Sequence, residues 1–204
     1  KKIVLVSNCV KEIVFFSNNK NKILEISNLF NESPLIILNL NDFKKVISPQ
    51  EIGLTFEENA KIKSIYGLEK FKKICFADDS GICIKALDNG PGVKSKEFLT
   101  SKNTKKKVLN DIIQETKNKK NYDAFFQTTI CLSLQNKKSL FFTGKIYGEI
   151  SKKIKGISGF GYDPIFIPHG FNKTFAEMNM NEKNKISHRA VAIGKLTNYL
   201  NKLV

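Results

Sequence analysis

The residues best suited to chemistry fall in five short polar clusters. Asp78 and Asp79 stand together at the end of the apolar run Ile74 to Ala77, followed by Ser80 and Gly81. Adjacent carboxylates there are costly to leave unpaired, so they either close an Asx turn ending in glycine or bind a hard cation. With the distant Glu51, one aspartate would make a sparse oxygen site of the kind Mg2+ takes when phosphates supply the remaining ligands. Ser17, Asn18, Asn19, Lys20, Asn21 and Lys22 read as a strand-to-helix turn with short polar side chains and two ammonium groups. Such a turn can hold phosphate on its free backbone donors, and the same letters also describe an ordinary Asn-capped helix. It lacks the glycines of a Walker A loop. Glu58, Asn59 and Lys63 follow Glu51, and Asn59 and Lys63, four apart, share one helix face.

The other two clusters lie nearer the C-terminus. In Gly159-Phe160-Gly161-Tyr162-Asp163-Pro164, paired glycines allow close backbone approach; an exposed Phe or Tyr there could stack on a planar base, or the segment is a tight turn with core aromatics. Lys183 precedes Ser187, His188 and Arg189, and Arg189 is the only arginine among 34 basic residues. A planar donor fork for a carbonyl or a phosphate is a job lysine cannot do.

Alternating strand-like and helix-period segments must position these clusters, which points to an α/β or mixed α+β architecture. The expected strands are Ile13 to Phe16, Leu35 to Leu40, Ile74 to Ala77 continuing as extended chain over Ile82 to Leu87, and Ile165 to Ile167. Tyr122 to Leu134 and Ser139 to Ile150 form a hairpin across the polar turn 135–138. Thr55 and Glu58 fit a capping box opening a helix that runs to about Phe71. Val108, Leu109, Ile112 and Ile113 mark an amphipathic helix, and a last helix starts at Ser187 and buries Val191, Leu196 and Leu200. Gly90-Pro91-Gly92 reads as a loop. No linker divides the 204 residues, so a single domain is expected.

Composition removes several classes. With 41% apolar and 26% charged residues the chain is neither disordered nor membrane-spanning, and it shows no secretory pattern. A cytoplasmic location is expected. Four scattered cysteines and two histidines indicate neither a zinc site nor a disulfide framework; the cysteines read as small buried apolar residues. The net charge of +15 comes almost wholly from dispersed lysine, which describes a solvated exterior more readily than a specific nucleic-acid surface.

Taken in order, S-N-N-K-N-K at 17–22, G-L-T-F-E-E-N-A-K-I-K at 53–63, A-D-D-S-G at 77–81, G-P-G at 90–92, G-F-G-Y-D-P at 159–164 and E-K-N-K-I-S-H-R at 182–189 resemble the inosine triphosphate pyrophosphatase family, hydrolases of non-canonical purine nucleoside triphosphates. The resemblance implies an elongated α/β fold: a mixed central sheet flanked by helices, with two lobes and a nucleotide cleft between them. It also implies a homodimer, Mg2+ as cofactor and a nucleoside triphosphate such as ITP, dITP or XTP as substrate, with no membrane or specific nucleic-acid partner. On it, Ser17, Asn19 and Lys22 belong to the triphosphate turn, together with Asn18, Lys20 and Asn21, and Lys63 is a further phosphate contact. Glu51 and Asp79 match the metal ligands, Asp79 also the proton acceptor; Asp78 supports them and Ser80 touches substrate. Phe160, Gly161, Tyr162 and Asp163 match the base-binding loop, with Phe160 the stacking partner. Lys183, Ser187, His188 and Arg189 match the residues around the six-position oxygen.

The chain departs from the family pattern in two places. Ser95-Lys96-Glu97-Phe98 stands where the family commonly has serine, a small residue and arginine before an aromatic, so Glu97 carries no role over. Residues 1–11 precede the usual first strand and read as an extra strand or tail. Two rival readings are a basic nucleic-acid-binding module that uses the 16 phenylalanines for stacking, and a related pyrophosphatase acting on modified pyrimidine triphosphates.

Overall fold

Runs of β-branched and aromatic residues between Asn-, Gly- and Lys-rich turns build one long sheet, which the computed structural model describes over residues 12–31, 35–44, 46–136 and 138–202. The segment 1–11, with its expected extra strand or tail and Cys9, lies outside the described residues. The strands are β1 (Glu12–Phe15), β2 (Ile36–Asn39), β3 (Cys75–Ile84), β4 (Gly90–Pro91), β5 (Asp123–Ser133), β6 (Ser139–Ile150) and β7 (Phe166–Pro168). They lie in the order β2-β1-β3-β5-β6-β7, with β4 paired to β3 off that path. β1 runs parallel to β2 and β3, and β3, β5, β6 and β7 are successive antiparallel neighbours. The helices are α1 (Lys20–Leu29), α2 (Phe56–Phe71), α3 (Ser95–Leu99), α4 (Lys105–Asn118), α5 (Met180–Ile186) and α6 (His188–Leu200).

Side-chain alternation along β3 and β5 sorts the helices onto two faces. Cys75 and Ala77 pack with Leu68 of α2 on one face, whereas Phe76, Ile130 and Leu132 pack with Ala192 and Leu196 of α6 on the other. A further core gathers Ile82 and Ile84 with α4 and with Phe126, Phe166 and Phe175. β3 thus begins in one pair of cores and ends in another. Its middle, Asp78-Asp79-Ser80, is the polar joint between them.

The local signals account for most boundaries. Thr55 Oγ1 accepts from Glu58 N at 3.1 Å and Glu58 Oε2 accepts from Thr55 N at 3.2 Å, so α2 opens on the expected capping box. The hairpin pairs Asp123 with Glu149 through Ser133 with Ser139, within a residue or two of the expected strands. Cys75, Cys83 and Cys131 are buried free thiols, as their dispersal indicated.

One alternative is removed and three expectations are corrected. Asp78-Asp79-Ser80-Gly81 is not an Asx turn; β3 runs straight through it, because Ile82, Cys83 and Ile84 keep pairing with β5. The extended chain after it stops at Ile84, where a 3-10 turn covers Lys85–Leu87. Gly90-Pro91 is not free loop but pairs with Cys83 and Ile84. Val191 lies on the outer side of α6 at 38% exposure, and Ala192 and Ile193 fill the core position instead.

Candidate active site

β1 reaches β3 only at Cys75 and Phe76, and β4 rejoins that edge only at Cys83 and Ile84. Between them, among the described residues, no strand covers the edge of β3, and Asp78, Asp79 and Ser80 stand in this gap. Because side chains alternate along a strand, the two aspartates leave the backbone on opposite faces. One dipeptide therefore serves two different environments.

On the α2 face, Asp79 meets Lys63 and Glu51. The Lys63 ammonium lies 2.8 Å from Glu51 Oε2 and 3.9 Å from Asp79 Oδ1. Asp79 Oδ1 also accepts from Ser80 N at 3.0 Å, and Oδ2 accepts from Asn59 Nδ2 at 3.1 Å. Burial raises the Asp79 pKa, outweighing the pull of Lys63 and Lys22. Among the described residues no group of three or more His, Cys, Asp or Glu gathers to hold a metal. Glu51 and Asp79 supply two hard oxygen donors, and a positive charge, that of Lys63, already sits between them. This donor set fits Mg2+ provided that phosphate and water oxygens complete the shell.

On the α6 face the charges form a chain. Asp78 Oδ2 lies 3.0 Å from Lys22 Nζ and 3.3 Å from Arg189 Nη2, and accepts from Ser80 Oγ at 2.6 Å. The Arg189 guanidinium also donates to Ser80 Oγ and to Glu25 Oε2. Glu25 Oε1 in turn accepts from Lys183 Nζ at 2.8 Å, and that ammonium donates to Asp163 Oδ2 at 2.8 Å. Three cations and three anions thus alternate from the 17–22 turn to the 159–164 loop. Asp78, Glu25, Lys183, Asp163 and Arg189 are all buried. Burial pushes Asp78 up, but Lys22 and Arg189 hold it well below the usual carboxylate range; Glu25 is lowered likewise, by Arg189 and Lys183 against its own burial. Burial raises Asp163 and lowers Lys22, in each case against its partner. His188, stacked on Phe126 with centroids 4.7 Å apart, is held neutral by burial and by the neighbouring Arg189. Its Nδ1 and Asp78 Oδ1 are buried without a hydrogen-bond partner among the described residues.

Local sequence explains the two flanking loops. Asn19 caps α1, accepting from Asn21 N and Lys22 N, and the first turn of α1 contains no acidic residue. Its N-terminal partial charge is left for an outside anion, in contrast to α2, whose first turn holds Glu57 and Glu58. In the 159–164 loop Gly159 has φ +71° and a Cβ there would overlap the Asp163 carboxylate, which also accepts from Phe160 N at 2.7 Å.

The structure brings together Lys22, Glu51, Lys63, Asp78, Asp79, Ser80, Asp163, Lys183, His188 and Arg189. Phe160 joins them, with Lys183 Nζ 4.8 Å from its ring centroid. It separates others: Tyr162 is buried and its hydroxyl donates to Ser95 O at 2.6 Å, so this ring is not available for stacking. Ser187 is the buried N-cap of α6, accepting from Ala190 N. Asn18 donates to Ser48 Oγ at 2.8 Å, and Lys20 and Asn21 are exposed in the turn. Sequence reasoning missed Glu25, although its place three residues after Lys22, on the same helix face, was a usable signal. The stacking surface required by the nucleic-acid rival is largely absent, since Phe15, Phe16, Phe76, Phe166 and Phe175 are core residues.

Residues 13–199 match the sequence model described as the Ham1 family. The chain belongs to the Ham1 family. Among relatives of this Ham1 protein, the dITP/XTP pyrophosphatase of Flavobacterium johnsoniae is 41% identical over 189 residues, covering 93% of this chain and 97% of the relative. That of Christiangramia forsetii is 38% identical, covering 94% and 100%. Among solved structures, the Ham1 protein of Staphylococcus aureus superposes with a TM-score of 0.83 at 32% identity, covering 95% of this chain and all of its own. A HAM1 protein from Coxiella burnetii gives 0.84 at 33%, covering 94% and 98%. The mixed α/β fold expected from the resemblance is the fold of the family.

Proposed function

We propose that this Ham1 protein is a single-domain nucleoside triphosphate pyrophosphatase that hydrolyses non-canonical purine nucleotides such as ITP, dITP and XTP to the monophosphate and pyrophosphate. The names of its relatives support the activity and the substrate class. The observation that carries the reading is the Asp78-Asp79 pair, which faces a carboxylate-and-lysine site on one side and a buried donor cluster on the other.

In this reading the N-terminus of α1, Ser17 and Lys22 grip the triphosphate, and Lys63 neutralises charge that develops on it. Glu51 and Asp79 hold Mg2+, which when bound draws charge off the phosphate oxygens. Asp79, its pKa raised by burial, accepts the proton of a water whose oxygen attacks the α-phosphorus. The bond from the α-phosphorus to the bridging oxygen breaks and pyrophosphate leaves. Positioning and electrostatics suffice for such a step without a covalent intermediate.

Donor counting supports a six-oxo purine. Arg189 has five N–H groups and makes four of the described hydrogen bonds; Lys183 has three and makes two. Each keeps one N–H in hand for an acceptor. The six-amino group of adenine would bring a donor against donors and leave them unpaired. Phe160 stacks on the base with the face turned away from Lys183.

The protein acts as a homodimer in the cytoplasm. Phe141 and Tyr147, 43% and 55% exposed on one face of β6, favour contact with a second copy, and no described helix is long and apolar enough to cross a membrane. Sedimentation at micromolar concentration tests the dimer. A panel of ITP, dITP, XTP, GTP and ATP, scored for pyrophosphate release with and without Mg2+, tests the activity. Release from ITP and XTP with ATP nearly inert is the expected result; equal rates on ITP and ATP, or no dependence on a divalent ion, would overturn it.

A further inference from the structure

We propose that Asn59 is a positioning residue for the divalent ion, tying Asp79 to the loop that carries Glu51 and so setting the spacing of the two carboxylates. The inference rests on the pyrophosphatase reading above. Asn59 is 4% exposed on the inner face of α2. Its Nδ2 donates to Asp79 Oδ2 at 3.1 Å, and its Oδ1 accepts from Gly53 N at 2.8 Å. Gly53 lies two residues beyond Glu51, so one side-chain amide spans β3 and the Glu51 loop. The amide orientation is fixed chemically, because a backbone N–H can only donate and an ionised carboxylate can only accept.

Three neighbouring features make this a built bracket. A Cβ on Gly53 would lie 2.6 Å from Asn59 Oδ1 and 2.6 Å from Glu58 Cβ, so only glycine lets the loop approach the amide. Leu54 N donates to Glu58 Oε2 at 2.7 Å, which pins the next residue of the loop to α2. Glu51 itself is 45% exposed and is held through its Lys63 contact, so the backbone tether at Gly53 is what fixes its starting point. On Asp79, Asn59 occupies Oδ2, while Oδ1, which accepts from Ser80 N, lies on the side of Lys63, the residue that also pairs with Glu51. Groups that orient ligating carboxylates in this way commonly govern affinity by about 10- to 100-fold.

The test uses the full chain and two variants that strike the bracket from opposite sides, Asn59→Leu and Gly53→Ala. Mn2+ binding is followed by the electron paramagnetic resonance of the free ion, in the presence of non-hydrolysable α,β-methylene inosine triphosphate. Each variant is expected to bind Mn2+ about 10- to 100-fold more weakly, and the double variant no more weakly than the worse single one. Binding of the same analogue in EDTA should be unchanged, and kcat should recover in part at saturating metal. Gly53→Ala, in a loop, carries the experiment if Asn59→Leu does not fold. Wild-type Mn2+ affinity in a folded variant, strictly additive losses, or an equal loss of metal-free nucleotide binding would overturn the proposal. Failure of the parent reading looks different: the wild type would then release no pyrophosphate from ITP, while the Mn2+ titrations would still decide the role of Asn59.

Discussion

The two sides of the Asp78-Asp79 joint are built in opposite ways. On the α6 side six charges alternate in a chain, all but Lys22 buried, and Arg189 at 1% exposure touches Glu25, Asp78 and Ser80 at once. On the α2 side two carboxylates share a single ammonium, and one of them, Glu51, is 45% exposed. A buried ionic chain gains little net stability against desolvation, but breaking it strands charges and is costly. The end proposed to meet the base is therefore braced by its own charges, whereas the end proposed to hold the metal has fewer internal partners and room for outside oxygens. The contrast also accounts for the arginine: no lysine could satisfy three partners in one plane.

The comparison breaks most sharply at Asp79. Asp79→Asn keeps an acceptor for Asn59 but removes the proposed proton acceptor and a metal ligand, so turnover of ITP should fall by about 10^3-fold or more. Burial already disfavours the Asp79 charge, so the melting temperature should stay level or rise. A variant with near-normal turnover would place the chemistry elsewhere.

Glu25→Gln tests the other end by stability. It leaves Lys183 and Arg189 short of a counter-charge in a buried site, which costs roughly 3–5 kcal/mol and lowers the melting temperature by roughly 10 °C. A shift of a degree or less in a thermal melt would mean that the chain is slack and the contrast false. Glu51→Gln should do the reverse: its pair with Lys63 is solvent-screened, so stability should move by less than about 1 kcal/mol. The Mg2+ concentration giving half-maximal activity should meanwhile rise about tenfold or more.

Sequence made one of these ends far more legible than the other. Thr55 and Glu58 announced α2, and with it the face carrying Asn59 and Lys63, because a capping box is satisfied within four residues. The hairpin β5-β6 was equally local. Glu25 was harder to read for the opposite reason: only its spacing from Lys22 is local, its partners stand 158 and 164 residues away, and on a ten-residue helix it reads as an exposed acid. Asp78-Asp79-Ser80-Gly81 looked like a turn because polar residues and glycine ordinarily end strands. What keeps it in a strand is pairing with β5, a long-range term that overrides local preference. Tyr162 looked available for stacking until its partner, Ser95 O, came into view from a short helix that the sequence had not signalled. The resemblance singled out residues along the chain; which of them face inward was a property of packing.

The smallest effect separates the two ends by sign. Glu25 has a folded pKa below its unfolded value of 4.5, so its contribution to stability is present above that pH and is lost as pH falls through the folded pKa. Asp78 acts in the same direction. Asp79 is raised above 3.8, so its contribution runs the other way, declining as pH rises from the unfolded toward the folded value. Asp163 shares that sign and blunts the acid sensitivity of its own end. Melting temperatures measured in EDTA from pH 3 to 7 should therefore fall toward acid more gently in Glu25→Gln than in the wild type, and more steeply in Asp79→Asn. Parallel curves for all three proteins would show that the charges on the two faces of β3 titrate alike, and that the asymmetry between the α6 side and the α2 side has no electrostatic basis.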